Sequence, residues 1–105
     1  MAEIEDVIFG ISPLVKCECL VGPAKSSNLA LRQAYLDLFE DFATLAMPEE
    51  VFLSAAELRA TERLNTPDAL HLACARHHRC DALWTNDNRF ARRARGFVRN
   101  ILAGR

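Results

Sequence analysis

The sequence predicts a single α/β domain, spanning residues 1–105, in which helices cover a parallel β-sheet. Short apolar runs such as DVIFGIS and DALWT alternate with longer amphipathic stretches, as strands and helices do in parallel sheets. The 105 residues, 50% of them hydrophobic and 26% charged, suffice for one hydrophobic core. No internal repeat or low-complexity tract interrupts the alternation. The expected architecture is therefore an ordinary layered α/β fold.

The first predicted strand leads directly into a helix. DVIFGIS (residues 6–12) has the length and composition of a strand that is buried on both faces. Pro13 fits the first helical position, so a helix is expected over LVKCECLV. Gly22 and Pro23 are expected to end that helix.

A long amphipathic helix is predicted next, with an N-cap at Ser26, Ser27 or Asn28. The residues expected on or near its apolar face are Leu31, Ala34, Tyr35, Leu38, Phe39 and Phe42. ATLAMP (residues 43–48) is a predicted second strand. A further helix should begin at Glu49 and end at Asn65.

The stretch TPDALHLACARHHRC (residues 66–80) predicts another helix. Thr66 is the expected N-cap, Pro67 suits the first helical position, and Asp68 falls in the first turn, where its charge complements the helix dipole. The elements expected after it are a buried strand in DALWT (81–85), a short helix in NRFARRA (88–94) and a last strand in GFVRNIL (96–102).

The charge of the chain is unevenly distributed along it. The formal net charge is -1, but residues 1–75 carry 12 acids and 5 bases, whereas residues 76–105 carry 2 acids and 8 arginines. The basic carboxyl-terminal part, which includes Arg89, Arg92, Arg93, Arg95 and Arg99, would attract phosphates. Alternatively, these arginines pair with the acidic part of the chain.

Three acidic residues fall at positions where a parallel α/β sheet binds its ligands. Asp87 follows the strand at residues 82–86, Asp68 opens a helix, and Glu18 lies in the helix after the first strand. Ligands bind beyond the carboxyl ends of such strands, so the three carboxylates are expected to meet there. Clustered carboxylates repel one another unless they are protonated or bridged by a cation, and oxygen-only ligands favour Mg²⁺ or Mn²⁺. Individually, each acid also has a purely structural explanation, as a dipole partner, a turn former or a solvated side chain.

The four cysteines offer two competing interpretations. Cys74 and His78 share a helix face close to Cys80, so a structural zinc site is conceivable. Cys17 and Cys19 point in different directions on a helix. Disulfides are the other alternative, but the acidic start MAEIED is unlike a signal peptide, which favours reduced thiols and a cytoplasmic location.

The segment TPDALHLACARHHRCDALWTNDNRFARRA resembles the carboxyl-terminal half of PIN-domain ribonucleases, particularly the VapC-like toxins of toxin–antitoxin pairs. ISPLVKCECLVGP is similar to the family's segment in which a strand ending in Ser-Pro leads to a helix with an acidic residue. The resemblance covers about residues 7–101. It implies that the metal ligands and catalytic acids are Glu18, Asp68 and Asp87. The implied supporting residues are Ser12 and Thr85, and the implied substrate contacts are Asn86 and Arg89.

The resemblance also implies a three-layer fold with a parallel sheet in the order 3-2-1-4-5. The implied activity is Mg²⁺- or Mn²⁺-dependent cleavage of RNA, with an antitoxin protein as partner and a homodimer as assembly. The family's first, central strand, which ends in an aspartate, has no counterpart in the sequence. Asp6 is no substitute, because six residues of strand before Ser12 place it about 20 Å away.

This departure from the family pattern leads to two expectations. Either a dimer compensates for the missing strand, or the functional gene starts upstream of Met1. An alternative function, open at this point, is that of a catalytically inactive PIN-like remnant that still binds an antitoxin or another partner.

Overall fold

The structure, a computed structural model, describes residues 9–85 and 98–100. The elements within them are β1 (Gly10–Ile11), α1 (Pro13–Ser26), α2 (Leu29–Phe39), β2 (Ala43–Thr44), α3 (Glu49–Glu62), α4 (Thr66–His77), β3 (Leu83–Thr85) and β4 (Val98–Asn100). The predicted α/β class is confirmed. The predicted helix at 88–94 lies outside the described residues. The chain divides into two compact units, Met1–Ala46 (the first unit) and Met47–Arg105 (the second unit).

The described strands form two parallel ladders of two strands each. In the first unit Gly10 of β1 lies opposite Ala43 of β2, and the N–H of Leu45 donates to the carbonyl of Ile11 at 2.9 Å. In the second unit Leu83 of β3 lies opposite Val98 of β4. The predicted order 3-2-1-4-5 uses the family's strand numbers, in which strand 1 is the one without a counterpart here and β1 to β4 are strands 2 to 5. Without strand 1, this order leaves the pairs 3-2 and 4-5. These are the two ladders observed, so the predicted strand order is consistent with both.

Helix α1 continues past Gly22 and Pro23, so the predicted end of this helix is wrong. The helix ends instead at Ser27, which adopts the left-handed conformation with φ 54°. The N–H of Ser27 donates to the carbonyl of Ala24 at 3.3 Å, and the N–H of Asn28 donates to that of Pro23 at 2.9 Å. This pair of bonds is a Schellman motif. Pro23 lies inside the helix and is buried, and its carbonyl accepts one of the two closing bonds.

Asn28 also begins α2, as one of the three predicted N-caps. Its side-chain Oδ1 accepts a hydrogen bond from the N–H of Leu31 at 2.9 Å, which satisfies a donor that the helix start leaves without a partner. One residue therefore closes α1 and opens α2, and the two helices are joined by a very short connection.

The predicted apolar face of α2 is only partly buried. Phe39 is buried and stacks on the half-buried ring of Tyr35, with 6.1 Å between ring centroids. Leu31, Ala34 and Leu38 are exposed, contrary to the prediction. The helix carries apolar residues on more than one side, so the pattern did not determine which side faces inward.

Helices α3 and α4 pack against each other and form the core of the second unit. Ala69 and Leu72 of α4 are 0% exposed. The other buried apolar residues of this unit are Val51, Ala55, Leu64, Ala73, Cys74 and Ala75. Four consecutive buried residues, 72–75, mean that α4 is covered on most of its circumference. No helix within the described residues is long and apolar enough to cross a membrane.

Both ends of α4 are closed by identifiable hydrogen bonds. The prediction that Thr66 is its N-cap is wrong. The N-cap is Asn65, whose side chain accepts a hydrogen bond from the N–H of Asp68 at 2.9 Å. At the other end Arg79 is left-handed with φ 56°. The N–H of Arg79 donates to the carbonyl of Arg76 at 3.0 Å, and that of Cys80 donates to Ala75 at 2.9 Å. This is a second Schellman motif.

Alanine and glycine at position 79 test the left-handed turn that ends α4. A Cβ in this conformation costs about 1 kcal/mol, so Arg79→Gly should be more stable than Arg79→Ala by about that amount. Ala60 is exposed in the right-handed α3, so glycine there should instead lower stability by about 1 kcal/mol. Urea unfolding followed by circular dichroism measures both differences. If alanine were more stable than glycine at both positions, position 79 would not be left-handed.

Candidate functional site

Asp68 lies in the first turn of α4 and is held there by the cap. The carbonyl of Asn65 accepts from the N–H of Ala69 at 2.9 Å, while the Asn65 side chain accepts from the N–H of Asp68. The neighbouring Ala69 is fully buried, whereas Asp68 is half-buried. The positive end of the helix dipole stabilises the ionised carboxylate. Asp68 therefore lies half-buried at the positively polarised start of a capped helix.

Glu18 lies in the middle of α1 and is exposed. The pKa of the adjacent Cys19 thiol is raised, first by burial and second by the negative charge of Glu18. A carboxylate in this position is accessible to a cation from solvent. It is a chemically suitable oxygen ligand for a hard divalent ion.

Ser12 is 4% exposed and caps α1. Its Oγ accepts from the N–H of Val15 at 3.2 Å, and its carbonyl accepts from the N–H of Lys16 at 3.2 Å. Ser12 thus connects the end of β1 to the first turn of α1. This cap is the role that its contacts show, and its support of a metal site stays a prediction.

Lys16 is a candidate residue that the sequence interpretation did not include. Its ammonium donates to the Thr44 hydroxyl at 3.1 Å and lies 5.9 Å from the centroid of the Phe39 ring. Thr44 is the last residue of β2, so the cation is held at the carboxyl end of the β1–β2 ladder. A signal was available in the sequence, since Lys16 lies one turn after Ser12 in a helix that starts at the end of a strand.

The predicted site residues are distributed over different parts of the chain. Ser12 and Glu18 belong to the first unit, and Asp68 belongs to the second. Thr85 is the last residue of β3. The other predicted site residues, Asn86, Asp87 and Arg89, lie outside the described residues. The meeting of Glu18, Asp68 and Asp87 therefore stays a prediction.

The described residues also test the zinc alternative. Among residues 9–85 and 98–100, no three His, Cys, Asp or Glu side chains are close enough together to hold a metal ion. Cys74, His78 and Cys80 all fall within this range, so a zinc site built from them is excluded. None of the four cysteines forms a disulfide in the structure.

Comparisons with known proteins give a family match and a structural match. The PIN domain family matches residues 2–96 of the chain. A solved structure described as a toxin-antitoxin complex from Klebsiella pneumoniae superposes with a TM-score of 0.74 and 25% sequence identity. The match covers 90% of this chain and 77% of that chain. No curated protein matches the chain.

Substitution of Asn65 tests whether the cap positions Asp68. Asn65→Ala removes the side-chain acceptor, so we expect a loss of about 1 kcal/mol in the free energy of unfolding. The Asp68 amide should also lose protection from hydrogen exchange. Asn65→Ser supplies another capping oxygen, so this variant should retain most of the stability and most of the protection of the Asp68 amide. Equal exchange of the Asp68 amide in the alanine and serine variants would show that the cap does not hold this turn.

Proposed function

Because this chain belongs to the PIN-domain family, we propose that it is a metal-dependent endoribonuclease of a toxin–antitoxin pair. The observation that carries the proposal is the position of Asp68. The family match includes this residue, and its carboxylate lies at the capped start of α4, half-buried beside the fully buried Ala69. An anion held in this way suits a divalent cation better than a solvated surface carboxylate does.

Glu18, Asp68 and Asp87 would hold the ion, which we propose to be Mg²⁺ or Mn²⁺. The donor set fits such an ion, because all three side chains offer carboxylate oxygens, which hard cations prefer to sulfur or imidazole. Glu18 is exposed and Asp68 half-buried, so neither is closed off from solvent. When bound, the ion supplies positive charge that stabilises a phosphodiester during hydrolysis and makes water more acidic.

Lys16 would hold a phosphate of the RNA backbone. An ammonium group has three N–H donors, and the Thr44 hydroxyl accepts from one of them. The remaining donors can bind phosphate oxygens while Thr44 and the Phe39 ring limit the movement of the side chain. We propose that Asn86 and Arg89 contact the substrate as well, and that Thr85 supports the acids from the end of β3. In the overall reaction the hydroxyl of water joins phosphorus, and the leaving oxygen takes the proton.

We propose an antitoxin protein as the partner, and a homodimer as the assembly, in the cytoplasm. The similar structure from Klebsiella pneumoniae is described as a toxin-antitoxin complex, which supports the first part. Large apolar side chains are exposed in both units, and such surfaces are typical of interaction sites. They include Leu29 (77% exposed), Leu31 and Leu38 of α2, and Phe52 and Leu53 of α3. The same surfaces favour the alternative function, a catalytically inactive remnant that binds an antitoxin.

Asp68→Asn separates the two functions. The amide keeps the size of the side chain but removes the charge that would bind a cation, so we expect RNA cleavage in Mg²⁺ or Mn²⁺ to fall by about 100-fold or more. Asp41→Asn is the matched control, because Asp41 is an exposed aspartate in the turn after α2. Cleavage of RNA by purified protein, with circular dichroism to verify folding, provides the measurement. Binding of an antitoxin peptide without cleavage by the unsubstituted chain would favour the inactive remnant.

Lys16→Met tests the proposed phosphate contact. Loss of one phosphate contact should weaken RNA binding and reduce the salt dependence of log Kd by about 0.7 per log unit of salt. Lys25→Met is the control, since Lys25 is exposed in the last turn of the same helix. Binding of single-stranded RNA to the Asp68→Asn background, titrated at several salt concentrations, gives both slopes. Identical slopes for the two methionine variants would remove Lys16 from the proposed site.

A further inference from the structure

The turn after α4 brings two cysteines together. In a Schellman motif the residue after the left-handed position contacts a residue one turn back in the helix. Arg79 occupies the left-handed position, so the residue after it is Cys80, and the residues one turn back in the helix are Cys74 and Ala75. A hydrophobic contact between such positions frequently accompanies the motif. Here two of these positions are cysteines, Cys80 and Cys74.

Backbone hydrogen bonds hold Cys80 against the last turn of α4, which contains Cys74. The N–H of Cys80 donates to the carbonyl of Ala75 at 2.9 Å, and the N–H of His78 donates to that of Cys74 at 3.1 Å. The Cys74 side chain is 2% exposed, whereas Cys80 is half-buried. Burial raises the pKa of the Cys74 thiol, and the charge of the nearby Cys80 sulfur raises it further. The second cause agrees with the contact that the backbone geometry indicates.

We propose that Cys74 and Cys80 form a reversible dithiol–disulfide pair, a redox modification site at the carboxyl end of α4. The oxidant would be a small disulfide. The proposal does not depend on the ribonuclease function, because it concerns only the thiols and the turn that joins them.

The two cysteines have different roles in the exchange. The more accessible Cys80 thiolate attacks one sulfur of the small disulfide, forms a mixed disulfide and expels the first thiolate. Cys74 then loses its proton to solvent and attacks the Cys80 sulfur, which expels the second thiolate. The protein loses two electrons and two protons, and the small disulfide is reduced to two thiols.

The first unit contains a matched pair of cysteines that should not react in this way. Cys17 and Cys19 are two positions apart in α1, and side chains at this spacing do not face each other. Cys17 is exposed and Cys19 is half-buried. The chain therefore provides one pair expected to close and one pair expected to stay open.

The modification would fix the connection from α4 to β3. Cys80 is three residues before Leu83, where β3 begins, and β3 ends at Thr85. A covalent bond between Cys74 and Cys80 would prevent the helix end from unwinding without removing any of the hydrogen bonds of the turn. Oxidation should therefore protect the amides of Arg79 and Cys80 from hydrogen exchange.

Two double variants of the full chain test the proposal with oxidised glutathione as the probe. Cys17→Ser/Cys19→Ser retains the proposed pair, and Cys74→Ala/Cys80→Ser retains the control pair. After oxidation each protein is unfolded, alkylated with iodoacetamide and weighed by mass spectrometry. The first variant should lose the mass of two hydrogen atoms and take up no alkyl group, and dithiothreitol should restore both thiols. The second variant should show glutathione adducts or alkylated cysteines, with no internal disulfide.

Two results would overturn the proposal. One is a stable glutathione adduct on Cys80 with Cys74 still open to alkylation, and the other is an internal disulfide only in the variant that retains Cys17 and Cys19. If Cys74→Ala/Cys80→Ser does not fold, Cys80→Ser alone keeps the buried Cys74 and decides the question. No monomeric disulfide should form in that variant, and closure of one that involves Cys74 would contradict the proposed pair.

Discussion

The packing of α4 in the second unit is the constraint on which its candidate site depends. Ala69 and Leu72 are fully buried, and full burial of an aliphatic side chain such as Leu72 contributes about 1.5–3 kcal/mol. Small residues at Ala55 and Ala73 are also buried where α3 meets α4. A helix covered on most sides has little freedom to rotate about its axis. Its first turn, which carries Asp68, and its last turn, which carries Cys74, are therefore fixed by the same core.

The ends of the helices are closed by side-chain caps and by left-handed turns. Asn28 and Asn65 cap α2 and α4, and left-handed residues at Ser27 and Arg79 end α1 and α4. Neither Ser27 nor Arg79 is a glycine, so each turn retains a strain of about 1 kcal/mol that the surrounding hydrogen bonds offset. No buried side-chain nitrogen or oxygen lacks a hydrogen-bond partner in the part of the chain that the structure describes.

Most of the helices and strands could be predicted from local sequence patterns. The errors arose where contacts between distant residues determine the structure. The order of strands and helices followed from the hydrophobic period and from Pro and Gly positions, and the first turn of α4 followed from Pro67 and Asp68, although its N-cap is Asn65 and the predicted cap was Thr66. The continuation of α1 through Pro23 was not predictable, because a proline in a helix interior removes a hydrogen bond and usually ends or kinks the helix. Lys16 was missed because a helical lysine is usually solvated, and only the fold brings Thr44 and Phe39 to it.

The charge distribution explains why a cation and Lys16 belong together in the proposed site. Residues 1–75 carry 12 acids and 5 bases, so this part of the chain repels an RNA backbone unless positive charge is supplied locally. A divalent ion bound by the proposed carboxylates would offset their negative charge, and Lys16 adds a fixed positive charge at the end of the β1–β2 ladder. The arginines of residues 76–105 act over a longer range and are screened by salt beyond about 10 Å. In the proposed function, attraction of RNA to the chain and placement of one phosphate would therefore rely on different residues.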